Sequence, residues 1–63
     1  MDKKDIESFR EASGVLRKTA DLFDKLVDIM VDETITDEER EVLMEETMGR
    51  LVICTLKAQK IFE

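Results

Sequence analysis

At 63 residues, with 41% charged and 43% hydrophobic side chains, the chain is one small domain, residues 1–63, too apolar to stay disordered. One cysteine and no histidine leave no intrachain disulfide and no ordinary zinc site, and a formal net charge of −6 argues against direct nucleic-acid binding. Chains this short bury a modest fraction of their surface and usually need a staple, and here oligomerisation is the staple left over.

The absence of Pro, the presence of only two Gly and the supply of Ala, Leu, Glu, Lys, Arg and Met predict an all-α protein. The longest uninterrupted apolar run, residues 51–54, is far too short to span a bilayer, and "MDKKDIESF" lacks the apolar core of a signal peptide. A cytoplasmic protein with a reduced thiol is expected.

The first element is a helix over about residues 3–32. Ile6, Phe9, Ser13, Leu16, Ala20, Phe23, Val27 and Met30 follow one another at spacings of three and four, a heptad seam of the coiled-coil kind. A second stripe, Ala12, Val15, Thr19, Leu22, Leu26 and Ile29, keeps the same rhythm beside it. Lys4, Glu7, Glu11, Lys18, Asp21, Asp24, Lys25 and Asp28 form the solvated remainder.

A second helix, about residues 37–62, starts after Thr36, where Thr36-Asp37-Glu38-Glu39 reads as a capping box. Its seam is Met44, Thr47, Leu51, Cys54, Ala58 and Ile61, with Met48, Val52, Thr55, Gln59 and Phe62 alongside. The short connection makes the helices antiparallel. Folding there pairs seam with seam: Val27 with Met44, Phe23 with Thr47, Ala20 with Leu51, Leu16 with Cys54, Ser13 with Ala58 and Phe9 with Ile61. The second stripes are then surplus. Val15, Leu22, Leu26, Ile29, Met48, Val52 and Phe62 are expected to meet a second copy in a four-helix-bundle homodimer or a larger helical oligomer.

Charge is local. Residues 1–27 carry six acids and six bases; residues 28–46 carry nine acids and one base, a net −8; residues 47–63 carry three bases and one acid, a net +2. Asp37, Glu38 and Glu39 lie in a helix's first turn, where the dipole favours negative charge. Asp28, Asp32 and Glu33 lie where it disfavours them. That conflict marks the hairpin end as a partner-binding candidate: Asp28, Asp32, Glu33, Glu38 and Glu41, with Val31 and Ile35 supplying apolar contact.

Catalysis is not expected. His, Tyr and Trp are all absent, and Cys54 on an apolar seam stays a protonated, inert thiol. The acids lack the spacing and the Gly of a calcium loop, and no Glu-x-x-His motif exists, so neither metal nor cofactor is expected. Gly14 and Gly49 read as points of close helix approach. Ser13, Thr47 and Thr55, rimmed by Arg10 and Arg17, are candidates for a small polar recess that holds an anionic ligand such as a nucleotide.

The leading expectation is a non-enzymatic homo-oligomeric helical protein that binds, and regulates or inhibits, a protein partner through its acidic hairpin end. A partner with a basic surface suits that end, and a small acidic regulator of this kind fits a bacterial or bacteriophage source. The alternatives are an oligomer that binds or sequesters a small anionic ligand between subunits, and a purely structural assembly component.

Overall fold

A computed structural model describes all residues 1–63. The chain is all-helical, two helices packed against each other as an antiparallel hairpin: α1 (Lys3–Val31) and α2 (Asp37–Ile61). The hairpin is a rod of 51 × 16 × 8 Å. Its Cα radius of gyration, 15.2 Å, exceeds the roughly 11 Å of a compact domain of equal length. Neither helix is long and apolar enough to cross a membrane.

Both helix starts are written locally. The Asp2 carboxylate accepts from the amides of Lys4 (2.6 Å) and Asp5 (3.1 Å), satisfying two of the free donors that open α1. Thr36 Oγ1 accepts from the Glu39 amide (3.1 Å), and the Glu39 carboxylate accepts from the Thr36 amide (3.4 Å), the reciprocal pair of a capping box.

The chain reverses over residues 32–36 with no residue at positive φ, so no glycine is required. Asp32 takes that role. It adopts an extended conformation just past α1, and its carboxylate accepts from the amide (2.9 Å) and hydroxyl (2.6 Å) of Thr34. Such an Asx-type turn replaces a backbone hydrogen bond with a side-chain one.

The α2 face turned towards α1 is Leu43, Met44, Thr47, Leu51, Cys54, Ala58 and Ile61, with Thr47 and Cys54 only 2% and 4% exposed. On α1 the covered stripe is Ser8, Ala12, Val15, Thr19, Leu22, Leu26 and Ile29, of which the last three are fully buried. This corrects the expected pairing. The heptad seam of α1 faces outward, and Val15, Leu22, Leu26 and Ile29, expected between subunits, are turned inside the hairpin. From Phe9 onward each outward residue follows a covered one by a single position, which rotates the helix by about 100°. Two apolar stripes of equal period differ only in that rotation, so periodicity could not separate them.

Polar groups inside this seam are satisfied. Thr19 Oγ1 donates to the Val15 carbonyl (2.8 Å), Thr47 Oγ1 donates to that of Leu43 (2.8 Å), and no buried side-chain N or O lacks a partner. The Cys54 thiol is buried and free.

The glycines carry no close contact within the hairpin. A Cβ built on Gly14 or Gly49 meets nothing within 4 Å, which corrects the close-approach reading. Gly14→Ala and Gly49→Ala should therefore each stabilise the protein by about 0.5–1 kcal/mol, through better helix propensity and a less flexible unfolded chain. Thermal unfolding monitored by circular dichroism checks this, and a lowered midpoint would refute it.

Candidate functional site

With the covered stripe of α1 turned inward, the heptad seam becomes surface. Ile6, Phe9, Leu16, Phe23, Val27 and Met30 are all exposed, Leu16 by 66% and Phe23 by 57%. Met48, Val52 and Phe62 of α2 are exposed too and likewise lie one position after covered residues. In an antiparallel pair that offset turns both stripes to the same broad side of the rod. Contact between the Phe9 and Phe62 rings, whose centroids are 5.6 Å apart and tilted by 59°, ties the stripes together at the open end. One side of the hairpin is thus an apolar face that runs the length of α1 and, on α2, from Met48 to Phe62, with Glu41 and Glu45 interrupting it at the hairpin end.

The opposite side is different in kind. Lys18, Arg50, Ile53 and Lys57 border a shallow hollow of about 240 Å³ over Leu22 and Cys54, and Glu11, Lys57 and Lys60 border a second over Val15 and Ile61. Charged residues dominate there, as a solvated side requires. Val42, Ile53 and Leu56 are also exposed, so α2 is apolar around more of its circumference than α1.

Total accessible surface reflects how little the rod covers of itself. The hairpin exposes 5296 Å². A compact folded monomer of 7.3 kDa is expected to expose about 4,200 Å², so this rod exposes on the order of 1,100 Å² more. Soluble monomers rarely carry contiguous apolar patches beyond a few hundred Å².

The hairpin end is organised around a residue the sequence reading passed over. Arg40, on the first turns of α2, donates to the backbone carbonyls of Ile29, Met30 (3.0 Å) and Asp32 (2.9 Å). These are carbonyls at the end of α1, which its own helix leaves without partners. The last turn of α1 contains no base, so Arg40 also supplies the positive charge that the helix dipole favours there. Its signal in the sequence was slight: the single base among the nine acids of residues 28–46.

Asp32 is explained by the same structure. Its carboxylate is held below the usual carboxylate range by the Thr34 hydroxyl, then by the Thr34 amide, with the Arg40 charge adding to both against partial desolvation. A depressed folded-state pKa stabilises the fold above the unfolded value, near 3.8, and that contribution is lost as pH falls through the lower folded value. Asp32→Asn should therefore make the unfolding midpoint less sensitive to acid from about pH 4 downward. Parallel melting curves of the two proteins between pH 6 and about pH 2 decide it; identical slopes would refute the linkage.

Asp32 thus has a local structural role. Asp28, Glu33, Glu38 and Glu41 remain exposed with no hydrogen-bond partner that would account for them, Val31 is 68% exposed, and Ile35 is half-buried in the turn. No group of three or more potential ligands comes together as a metal site.

The residues of the proposed polar recess are not brought together. Thr47 lies inside the seam, Ser13 and Thr55 lie on the apolar side, and Arg10 and Arg17 lie on the outer edge of α1. Thr47 and Thr55 both donate to carbonyls of their own helix, and none of the five residues lines any of the four surface hollows. The cause is the rotated α1, which carries Ser13 away from α2.

Compared with protein-family models, curated proteins and solved structures, the chain matches none.

Proposed function

We propose that this chain is a non-enzymatic, cytoplasmic interaction protein that works as a homo-oligomer, a four-helix bundle in its simplest form, and offers its acidic hairpin end to a protein partner. The observation that carries the reading is the apolar face shared by α1 and α2. Joining two copies there would cover exposed Phe9, Leu16, Phe23, Met48 and Val52, and a stable interface of this kind buries about 1,200–2,000 Å² in all. The exposed stripe keeps the three-and-four spacing that knobs-into-holes packing between helices uses.

The acidic end supplies the rest of the proposal. Fixing Arg40 and Asp32 in local roles leaves Asp28, Glu33, Glu38 and Glu41 as surface charge, next to exposed Val31. Such a field speeds encounter with a basic surface, and the apolar neighbours add affinity once contact is made.

Sedimentation at micromolar concentration tests the first half, with a dimer or a larger species expected and a stable folded monomer ruling it out. Detection must avoid 280 nm absorbance, since Trp and Tyr are absent. For the second half, Asp28→Asn combined with Glu33→Gln, Glu38→Gln and Glu41→Gln should weaken capture of a partner at least tenfold and flatten its salt dependence. Undiminished capture by that variant would sink the tip assignment.

A further inference from the structure

The apolar face has two ways of meeting a copy of itself, and they differ in what they place together. Both bring face to face by a two-fold axis lying in the contact plane. If the axis runs along the rod, the two hairpin ends lie side by side and α1 packs over the partner's α2. If it runs across the rod, the ends lie at opposite poles, α1 packs over the partner's α1, and α2 over the partner's α2.

We propose that the face receives a second copy of this chain in the crossed, head-to-tail orientation. The inference rests on the homo-oligomer reading above and adds the arrangement of the copies.

Side-chain size argues for it first. Turned antiparallel about the middle of α1, the exposed stripe pairs with itself: Ile6 opposite Met30, Phe9 opposite Val27, Ser13 opposite Phe23 and Leu16 opposite Ala20. All eight positions stay in step, and each is used twice across the dimer. The small residues Ser13 and Ala20 fall where Phe23 and Leu16 arrive, as interdigitating layers require. Ser13, which had no role within the hairpin, acquires one.

The side-by-side orientation also keeps step over much of the rod, with Leu16 opposite Thr55, Ala20 opposite Val52 and Phe23 opposite Met48, and it fails at the hairpin end. The Phe9–Phe62 contact sets the heights of the two helices relative to each other. At the hairpin end it would lay Val27 and Met30 of one copy against Glu45 and Glu41 of the other. Two carboxylates of each copy would then be covered by apolar side chains with no compensating charge, which is costly, whereas the crossed orientation covers only Glu45, near the partner's Phe62, and leaves Glu41 beyond the end of the partner's α2.

Charge argues the same way. Side by side, two segments of net −8 would share one end of the bundle. Head to tail, each lies beside the partner's open end, where residues 47–63 carry +2. Like-charge juxtaposition is the usual means by which an interface rejects a wrong arrangement. The product is a rod with an acidic pole at each end, able to engage two partners at once.

Inter-subunit distances between nitroxide labels test this, with Cys54→Ser removing the native thiol. A label at Glu33→Cys should report about 45 Å across the dimer, the rise of roughly 30 helical residues. A label at Arg17→Cys, near mid-rod on the outer edge of α1, should report a short separation of about 20 Å, because the two α1 helices are stacked neighbours. The reverse pattern, short at Glu33 and longer at Arg17, overturns the orientation and leaves the oligomer standing. Absence of any inter-subunit signal, with a monomer by sedimentation, overturns the oligomer itself. Circular dichroism establishes that each labelled variant is folded, and the two sites are independent should one of them fail.

Discussion

Arg40→Ala is expected to lower the unfolding midpoint by about 10–20 °C, the largest effect of any single charged residue in the chain. Its guanidinium donates to three carbonyls on one helix end, from a different helix, eight to eleven positions along the sequence. Hydrogen bonds from a charged donor are worth about 1.5–3 kcal/mol, and removing this one frees three acceptors together. Water reaches part of that site, since the Met30 contact is exposed, which holds the total near 2–3 kcal/mol. The only base in the −8 segment would be lost as well, so the repulsion among Asp28, Glu33 and their neighbours would grow. Arg40→Lys keeps the charge without the planar fork and should recover only part of the loss. Melts at matched protein concentration check this, because an oligomer's stability depends on concentration. A midpoint within about 3 °C of the parent for Arg40→Ala would show that the clamp contributes little.

The clamp also shows where sequence reasoning stopped. The two helices, their antiparallel pairing and the Thr36–Glu39 cap were all legible, because each is written in contacts three or four residues apart. The covered face of α2 was legible as well, since Met44, Thr47, Leu51, Cys54, Ala58 and Ile61 keep the three-and-four spacing of a seam. The rotation of α1 was not. Its two stripes have the same period and similar apolarity, and the choice between them is made at the turn, where Arg40 and the Asx turn of Asp32 hold the end of α1 against the start of α2. Those contacts span eight to eleven residues with no periodic signature. The acids at Asp28, Asp32 and Glu33 looked like a conflict with the helix dipole, yet Asp32 is a turn-former and Arg40 answers the dipole from across the hairpin. Within one hairpin Ser13, Thr47 and Thr55 form no recess, because the rotation of α1 carries Ser13 away from α2.

Leu16→Asp should dissociate the oligomer by at least a thousandfold in affinity, and helicity at micromolar concentration should fall with it. Within one hairpin the residue is 66% exposed, so a carboxylate there costs an isolated hairpin almost nothing. Against a second copy it costs both the apolar burial of a leucine, about 1.5–3 kcal/mol, and the desolvation of a charge, and a two-fold interface incurs both twice. Loss of helicity follows because the hairpin alone has a thin core: Leu22, Leu26, Ile29, Thr47 and Cys54 are its only buried residues. Val52→Asp, on the α2 half of the same face, should act in the same direction. Leu22→Ala separates the two layers of the structure. It lies inside the hairpin at 6% exposure and should cost about 2–5 kcal/mol by leaving a cavity, whatever the oligomeric state. A pattern in which Leu22→Ala unfolds the protein while Leu16→Asp leaves mass and helicity untouched would mean that the apolar face is bare in solution. The expected pattern, in which Leu16→Asp loses mass and helicity together while Leu22→Ala lowers the unfolding midpoint but keeps the oligomer's mass wherever the chain is folded, assigns the outward heptad seam to the second copy and the inward one to the fold.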